Sequence, residues 1–531
     1  MKLVFQTLFI TCFSLSIMAQ GPNSDSYKKS ALTVNELKRW SHLDLEKDSI
    51  PGMSIDRIYS ELIKGKKGEK IIVGVVDSGV DIDHDDLKSK IWTNTKEIPD
   101  NGIDDDNNGY VDDVHGWNFL GNSNNETLEM TRIVQKGDDG SPEYLLAKAE
   151  YDKKYQKLLD NKNQIDAIYK ANKVMGDFLQ KEDFTIDDVK NVTSTDEEVL
   201  KSKAALEKVG VAGKTLLNNI AKFKDNVYDQ LNYNFNTQFN GRKVVGDNPD
   251  DINDTNYGNN IVYGPDKKEA LHGTHVAGII AQVRGNNVGG DGVYDNVEIM
   301  SVRAVPNGDE YDKDVALAIR YAVDNGAKVI NASFGKNYSP NKQWVYDAIK
   351  YAESKDVLII HAAGNDSKDI DVEPNFPNDS DDKVTEFANN VITVGALNFE
   401  NGTKLVANFS NYGKNNVDVY APGVKIYATT PNNEYQYLQG TSMASPNVAG
   451  VAAMIRSFYP NLTAQQVKGI IMESGTTISA DVVVGGNKND KRPFNSLSKS
   501  GKFVNGYKAM ELAKKMSKKS GKKVKNKKLK G

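Results

Sequence analysis

The chain has 531 residues and a mass of 58.5 kDa; 26% of its residues are charged and 39% are hydrophobic. This composition excludes collagen-like and wholly disordered proteins, and the length suits two or three domains or one large domain with an insertion. Beyond the extreme N-terminus no apolar stretch reaches about 18 residues, which excludes a polytopic membrane protein.

Charge is unevenly distributed along the chain. The formal net charge is −5, although residues 514–531 alone contain ten lysines and no acidic residue. The remainder is therefore strongly acidic, which argues against nucleic acid as a main partner and is compatible with bound cations. The lysine-rich segment 514–531 has too little apolar material to fold alone, so we expect it to be disordered.

Residues 1–19 have the pattern of an export signal, with an early lysine, a short apolar run and a small residue, Ala19, before Gln20. A buried N-terminal helix is the alternative interpretation. The only cysteine, Cys12, lies in this segment, so removal of the signal would leave no disulfide and no cysteine nucleophile. We expect an exported protein: secreted, periplasmic or at the cell surface. Residues 20–65 are mostly polar and are interpreted as an N-terminal arm.

The region 66–513 has the pattern of an α/β domain. Helical patterns such as 315–326 alternate with continuous apolar, β-branched runs, which lie at 71–76, 297–305, 327–330, 357–360 and 391–394. Such runs are typical of strands buried on both faces, so we predict a mostly parallel sheet flanked by helices on both faces. Chemistry in such sheets lies at the carboxyl ends of the strands.

The apolar strand pattern is interrupted over residues 122–255. Within this stretch, 143–173 and about 197–224 carry leucine, isoleucine and tyrosine at helical spacing, which predicts a long helical insertion. Two interpretations remain open. The insertion is either a lid or docking module over the active site, or a solvated helical decoration.

Two segments place reactive side chains next to glycines at the ends of predicted elements. Asp77 follows the first apolar strand directly, where an aspartate taken alone is more often a turn or cap residue. His272 and His275 begin an apolar helix in the sequence HGTHVAGIIAQV. A zinc site would need a four-residue spacing with an intervening glutamate, so zinc is disfavoured, and either histidine alone could be a core residue.

Two further segments supply a hydroxyl and an amide. Ser442 lies in GTSMASPNVAG, at the predicted N-terminus of a helix, where free backbone N–H groups and the helix dipole favour developing negative charge. Read alone, Ser442 would be an ordinary N-cap. Asn365 follows a glycine at a strand end in HAAGN, where its amide can donate to an oxyanion.

The order Asp77, His272, Asn365 and Ser442, within DSGVD, HGTHVAGI, AAGN and GTSMASPNVAG, resembles the subtilisin-like serine proteases. The resemblance covers about 65–125 and 256–512. It implies that Ser442 is the nucleophile and that His272 is the general base and then acid. Asp77 would orient the imidazole, and Asn365 would complete the oxyanion hole.

The same resemblance implies how a peptide binds. The substrate would add as an extra strand beside 302–308, and its main pocket would lie between 331–335 and 361–364. Small residues there suggest a pocket for a large apolar side chain before the cleaved bond. The substrate-binding residues expected from the resemblance are Val305, Gly308, Ser333, Gly335, Ala363 and Gly364.

Calcium is the expected cofactor. The loop DDDNNGYVDD places side chains at the alternating positions of an EF-hand-type loop, although His115 stands where a bidentate glutamate is usual. A solvated acidic loop is the alternative. Asp86 matches a position at which the family often binds calcium. The expected metal ligands are Asp86, Asp104, Asp106, Asn108, Tyr110 and Asp112.

Together these patterns predict an exported, monomeric serine endopeptidase that acts on protein or peptide substrates through an acyl-enzyme. Two alternatives belong to other classes. A binding or scaffold protein could use the same fold without catalysis, and an acyl-transfer enzyme could join or cyclise peptides with the same residues.

Overall fold

A computed structural model describes Lys28 and residues 30–528, with side chains described up to residue 519. The expected export signal therefore lies outside the described residues. The first described helices are short: α1 (Val34–Arg39), α2 (Leu45–Asp48) and α3 (Ile55–Arg57), which continues as π-helical turns over Ile58–Ile63.

A seven-stranded sheet forms the centre of the molecule. Its strands are β1 (Ile71–Asp77), β2 (Gly116–Asn118), β3 (Val297–Arg303), β4 (Val329–Ala332), β5 (Leu358–Ala362), β6 (Val391–Leu397) and β7 (Val419–Pro422). Their spatial order is β2-β3-β1-β4-β5-β6-β7, and every neighbouring pair is parallel. The predicted fold class is confirmed. Strand β1 is buried along nearly its whole length, as its unbroken apolar sequence predicts.

The predicted helical insertion lies between β2 and β3. Its helices are α4 (Glu129–Lys136), α5 (Pro142–Leu179), α6 (Ile186–Lys190), α7 (Glu197–Val209), α8 (Gly213–Asp229) and α9 (Arg242–Val245). They form two small apolar clusters of their own, around Met175 and around Tyr151. The chain returns to the sheet at Asn259, which exchanges two backbone hydrogen bonds with Asn118.

The remaining helices cover both faces of the sheet. They are α10 (Leu271–Ala281), α11 (Asp312–Asp324), α12 (Lys342–Ser354), α13 (Thr441–Phe458), α14 (Ala464–Ser474) and α15 (Gly506–Lys528). Helices α10 and α13 share one apolar core, and α11 and α12 contribute to a second. Two antiparallel hairpins lie outside the sheet: β8 (Ile426–Thr430) with β9 (Glu434–Leu438), and β10 (Asp481–Val484) with β11 (Asn487–Pro493).

The N-terminal arm is packed into the body of the molecule. Trp40, Met53 and Ile58 are buried in the core that also contains α10 and α13. The indole of Trp40 donates a hydrogen bond to the backbone carbonyl of Val424, at 3.0 Å. The part of this segment that the structure describes therefore belongs to the core of the molecule.

The structure continues α15 over residues 514–528 of the lysine-rich segment, for which we expect disorder from the sequence. Buried Ala509, Met510 and Ala513 anchor the start of this helix against the core. Lysine has a high helix propensity, so the anchored helix can extend through a sequence that could not fold alone. In the described part of the chain, no helix combines the length and the apolar character that a membrane span requires.

Candidate active site

Asp77 and His272 meet at the carboxyl end of β1. Asp77 is the last residue of β1, and His272 is the second residue of α10. The distance from His272 Nδ1 to Asp77 Oδ1 is 2.7 Å, and the backbone N–H of Ser78 also donates to Oδ1, at 2.7 Å. A Cβ at Gly273 would lie 2.1 Å from the carbonyl oxygen of Gly79. Only glycine therefore lets α10 approach closely enough for this contact.

The carboxylate controls the charge of the imidazole. Asp77 is buried, whereas the His272 side chain is 37% exposed to the cavity. Desolvation disfavours the imidazolium, but the charge of Asp77 and its hydrogen bond outweigh desolvation and raise the pKa of His272 above its ordinary value. Since Nδ1 is held by Asp77, Nε2 is the ring atom that remains for proton transfer.

Ser442 lies near the N-terminus of α13, as predicted. It is the second residue of this 18-residue helix, so its backbone N–H has no intrahelical acceptor. Its Oγ donates to the carbonyl oxygen of Ser333, at 3.1 Å. Among the described residues, no hydrogen bond joins Ser442 Oγ to His272, although both residues line the same cavity.

Asn365 is oriented by the residue that precedes Ser442. Its Oδ1 accepts from the Thr441 backbone N–H at 2.8 Å and from Thr441 Oγ1 at 3.1 Å. These bonds fix the amide, and its Nδ2 has no acceptor in the described part of the protein. Asn365 lines the same cavity as Ser442. The cavity therefore contains a side-chain donor that a bound oxyanion could use.

The cavity holding these groups has a volume of about 730 Å³. Five of the six expected substrate-binding residues line it: Val305, Gly308, Ser333, Gly335 and Gly364. The sixth, Ala363, does not. It is fully buried in the main core, because its neighbour Ala362 takes the position on the cavity wall.

Sequence patterns missed several polar residues of the cavity. Lys336, Glu310 and Asn375 all line it. Burial raises the pKa of Glu310 to about 7, and its Oε1 has no hydrogen-bond partner among the described residues. The position of Lys336 after the predicted wall NASFG is the one signal that could have indicated its role.

Lys336 also connects the cavity to the insertion. Its Nζ donates to Glu129 of α4 at 2.8 Å and pairs with Asp312 at 2.9 Å. Arg132 of α4 pairs with Glu129 and donates to the carbonyl oxygen of Glu310 at 3.2 Å. The root of the insertion is therefore built into one end of the cavity.

The second histidine of the HGTH motif has a structural role. His275 is buried, and its Nε2 lies 3.1 Å from the carbonyl oxygens of both Ile426 and Gln436. Burial lowers the pKa of His275 to about 4, so it remains neutral near neutral pH. It therefore links α10 to the β8–β9 hairpin and has no place in the cavity.

The family model described as "Subtilase family" matches residues 68–497. The chain belongs to the subtilase family. It is 43% identical over 187 residues to the thermophilic serine proteinase of Bacillus sp. (strain AK1), covering 35% of this chain and 42% of that protein. It is 37% identical over 209 residues to thermitase of Thermoactinomyces vulgaris, covering 39% and 68%. The chain thus spans less than half the length of the first of these relatives.

A solved structure was also matched: a protease of Pseudoalteromonas arctica PAMC 21717, with 19% identity and a TM-score of 0.47. This match covers 90% of the present chain and 97% of the other.

The subtilase has an acidic loop in which three carboxylates converge. Ligand oxygens of Glu97, Asp104 and Asp106 all lie within 4.8 Å of one another. Glu97 is 6% exposed, and its Oε2 has no hydrogen-bond partner among the described residues. A buried carboxylate oxygen without a donor is costly, and a hard cation such as Ca²⁺ would satisfy it. Asp104 and Asp106 were predicted here; Glu97 was not.

The other expected metal ligands of this loop make contacts within and beside it. The side-chain oxygen of Asn108 accepts from the Tyr110 backbone N–H at 2.8 Å, and the Tyr110 ring packs against Trp117. The carboxylate of Asp112 accepts from the backbone N–H groups of residues 101 and 102. Asp112 is not one of the three converging carboxylates, and metal binding by Asn108, Tyr110 and Asp112 remains a prediction.

Asp86, the remaining expected ligand, is surrounded by donors. Its Oδ1 accepts from Asn286 Nδ2 at 2.6 Å and from the Val283 backbone N–H at 3.2 Å. Tyr435 lies 3.4 Å from its Oδ2. Among the described residues, Asp86 is not part of a group of three metal-ligating side chains. Binding of calcium at Asp86 remains a prediction.

Proposed function

We propose that this subtilase is an exported serine endopeptidase that hydrolyses peptide bonds in proteins through an acyl-enzyme. The observation that supports the proposal most strongly is the His272–Asp77 hydrogen bond on the wall of the cavity that also receives Ser442 and Asn365. A serine hydroxyl needs an adjacent base to act as a nucleophile near neutral pH, and this cavity offers one.

In the proposed mechanism a bound peptide displaces the Ser442 hydroxyl from the Ser333 carbonyl. Rotation about χ1 then brings Oγ toward Nε2 of His272, since catalytic hydrogen bonds often tighten only when substrate is bound. Oγ attacks the peptide carbonyl carbon, and its proton passes to Nε2. Asp77 stabilises the imidazolium and keeps Nδ1 protonated.

The tetrahedral oxyanion would accept hydrogen bonds from Asn365 Nδ2 and from the backbone N–H of Ser442. The imidazolium then gives its proton to the leaving amine as the peptide C–N bond breaks. A water molecule, deprotonated by Nε2, attacks the carbonyl carbon of the Ser442 ester. The bond from this carbon to Oγ then breaks, Oγ takes the proton from Nε2, and the acid product leaves. His272 thus acts twice as a base and twice as an acid.

The substrate is proposed to bind as an extended strand. The segments 305–308 and 333–335 both line the cavity, so their backbone groups could pair with a peptide laid between them. The residue before the cleaved bond would enter the pocket between 333–335 and 362–364, where we propose a large apolar side chain. Helix α4 contacts Lys336 and Glu310, which line this cleft, and this favours a role for the insertion in substrate access.

We also propose a structural Ca²⁺ bound by Glu97, Asp104 and Asp106. The support is the convergence of their oxygens and the unpartnered Oε2 of Glu97. Bound there, the ion would stabilise the loop that leads into β2. No catalytic step depends on it.

A fluorophosphonate probe, which forms a covalent bond to an activated serine, tests the proposed function. The wild-type protein should be labelled, and Ser442→Ala should not. Ser445→Ala is a matched control, because Ser445 is a buried serine of the same helix that bonds to Asn331; it should keep the labelling. Equal labelling of wild type and Ser442→Ala, with both variants folded by circular dichroism, would favour the non-catalytic binding protein.

A further inference from the structure

A second cavity lies beside the segment that leads into Ser442, because Gln439 is one of its lining residues. Its volume is about 520 Å³. Gln439 lines this cavity, whereas Thr441 and Ser442 line the catalytic one. The two cavities share no lining residue, so the segment carrying the nucleophile separates them.

The floor of the second cavity is apolar and its rim is cationic. Val406, Phe409, Val424 and Val483 contribute apolar surface, and Lys488 and Lys491 stand at the edge. Both lysines are exposed, and neither forms an ion pair with any described residue. Lys404, a third lysine of the rim, is paired with Glu400 at 2.7 Å.

The β10–β11 hairpin builds the outer wall of this cavity and ties it to the catalytic groups. A Cβ on Gly486, in the turn of the hairpin, would lie 3.5 Å from Cβ of Asn408. Ser367 Oγ donates to the Asn408 carbonyl at 2.9 Å, and Ser367 is two residues beyond Asn365. The hairpin is therefore linked through Asn408 and Ser367 to the segment that carries Asn365.

We propose that this groove binds the part of the substrate that follows the cleaved bond and selects acidic residues there. The inference rests on the proposed function. An extended substrate peptide would run from the catalytic cavity across Ser442. The first three residues after its cleaved bond would then lie within about 10 Å of the nucleophile. An apolar side chain among them would enter the groove, and an aspartate or glutamate beside it would meet Lys488 and Lys491.

The expected preference for acidic residues applies only to the substrate residues that follow the cleaved bond. The residues before the cleaved bond occupy the other cavity, whose buried wall contains Glu310 and the paired Lys336. A peptide that ends at the cleaved bond, such as a short chromogenic substrate, never reaches the lysines. Its hydrolysis should therefore be independent of them.

Internally quenched peptides test the proposal. Three peptides share the same residues up to the cleaved bond and then continue with leucine followed by two glutamates, two glutamines or two lysines. The wild type should cleave the glutamate peptide with a kcat/KM about tenfold above the lysine peptide at low salt, because two exposed charge contacts are each worth a few-fold. Added salt should reduce the ratio.

Substitutions of the rim lysines test whether the groove causes the preference for acidic residues. Lys488→Gln with Lys491→Gln should abolish the ranking, and Lys488→Glu with Lys491→Glu should reverse it. Lys153→Gln with Lys157→Gln, which removes two exposed lysines of α5, should leave the ranking intact. All variants should cleave the short chromogenic peptide at the wild-type rate.

The proposal is overturned if wild type cleaves the three peptides equally, or if the double glutamine variant at Lys488 and Lys491 keeps the ranking. A wild-type protein that cleaves neither these peptides nor the chromogenic one would instead contradict the proposed function, and this proposal with it. If the chromogenic peptide is cleaved but the three quenched peptides show no ranking by charge, only the proposal for the groove is contradicted.

Discussion

The sheet body and the helical insertion are stabilised in different ways. The body buries continuous apolar strands between two layers of helices, and all four proposed catalytic side chains come from it. In the insertion, α5 leaves Leu145 and Leu146 at least 60% exposed and packs into two separate small clusters. The body is closely packed around the sheet, whereas the insertion encloses smaller apolar clusters. The two regions therefore differ in how their apolar residues are buried.

The two regions meet through a buried ionic network. Glu129 and Arg132 of α4 bind Lys336 and the backbone of residues 309–310, at the end of the catalytic cavity. Opposite charges hold the pKa of Glu129 at about 2 in spite of its burial, so this contact persists at neutral pH. The insertion is attached to the body at further points, since Arg242 of α9 donates to Asp314 of α11 and Tyr338 donates to Glu150 of α5.

The largest predicted loss of kcat/KM comes from a substitution in the sheet body. Asp77→Asn should lower kcat/KM for a short peptide by about 10⁴-fold, because an amide at this position favours the wrong tautomer of His272. Asp83→Asn is the matched control, since this aspartate lies in the same loop but is exposed and paired with Lys267; it should change kcat/KM less than about twofold. Similar losses in the two variants would refute the assigned role of Asp77.

Asn365→Ala should have the next largest effect. Loss of one oxyanion donor is expected to lower kcat by about 10²- to 10³-fold with little change in KM. Steady-state kinetics on the short peptide separates the two constants. Asn375→Ala, which alters the same cavity away from Ser442, should change KM more than kcat. A mainly KM effect for Asn365→Ala would remove it from the oxyanion hole.

Acidic pH should lower kcat/KM through His272, which belongs to the sheet body, and not through the insertion. Because Asp77 raises the pKa of His272, the imidazolium persists to a higher pH than for an ordinary histidine, and only the neutral ring can act as base. The acid limb of kcat/KM should therefore have its midpoint above about pH 6.5, with a tenfold loss per pH unit below it. The insertion contains no histidine, so its removal should leave this limb in place. A midpoint below pH 6 would contradict the assignment.

Excision of the insertion beyond its root should have a smaller effect on chemistry than on substrate range. Replacement of residues 140–229 by a short Gly/Ser linker should keep kcat/KM for the short peptide within about threefold, since no proposed catalytic group is lost. Cleavage of a folded or large protein substrate should change more, as measured by gel-based digestion. Loss of short-peptide cleavage in a variant that still unfolds cooperatively would show that the insertion takes part in chemistry.

Calcium should have the smallest effect, on stability. A 100-fold excess over its Kd adds about 2.7 kcal/mol, which for a chain of this size corresponds to a few degrees in Tm. Glu97→Gln should abolish the difference in Tm between calcium and EDTA. Asp112→Asn should keep that difference, because its carboxylate bonds the backbone of residues 101 and 102. An equal calcium effect in wild type and Glu97→Gln would contradict the site.

Sequence patterns predicted the parts of the fold that depend on local periodicity. The apolar runs at β1, β3, β4, β5 and β6 were recognisable because each is buried on both faces. Strands β2 and β7 are short and lack such runs, so their place in the sheet follows only from pairing with distant strands. The helical lysine-rich segment likewise depends on tertiary anchoring, which propensity alone does not reveal.

Local sequence also predicts only part of the candidate site. The positions of Asp77, His272, Asn365 and Ser442 were indicated by motifs that the family shares. Lys336 could not be placed, because its role depends on Glu129, which is 207 residues away in the sequence. Glu97 lies outside the EF-hand-type repeat and joins Asp104 only through the path of the loop. Motifs report local chemistry, and packing decides which distant charges surround it.

The most direct test of the central claim is a kinetic cycle of Ser442→Ala, His272→Ala and the double variant on one short peptide. If the two residues act as a unit, the double variant should be about as slow as the slower single variant, with residual catalysis from binding and the oxyanion hole. If the losses of the single variants multiply in the double variant, Ser442 and His272 act independently and the proposed mechanism is wrong.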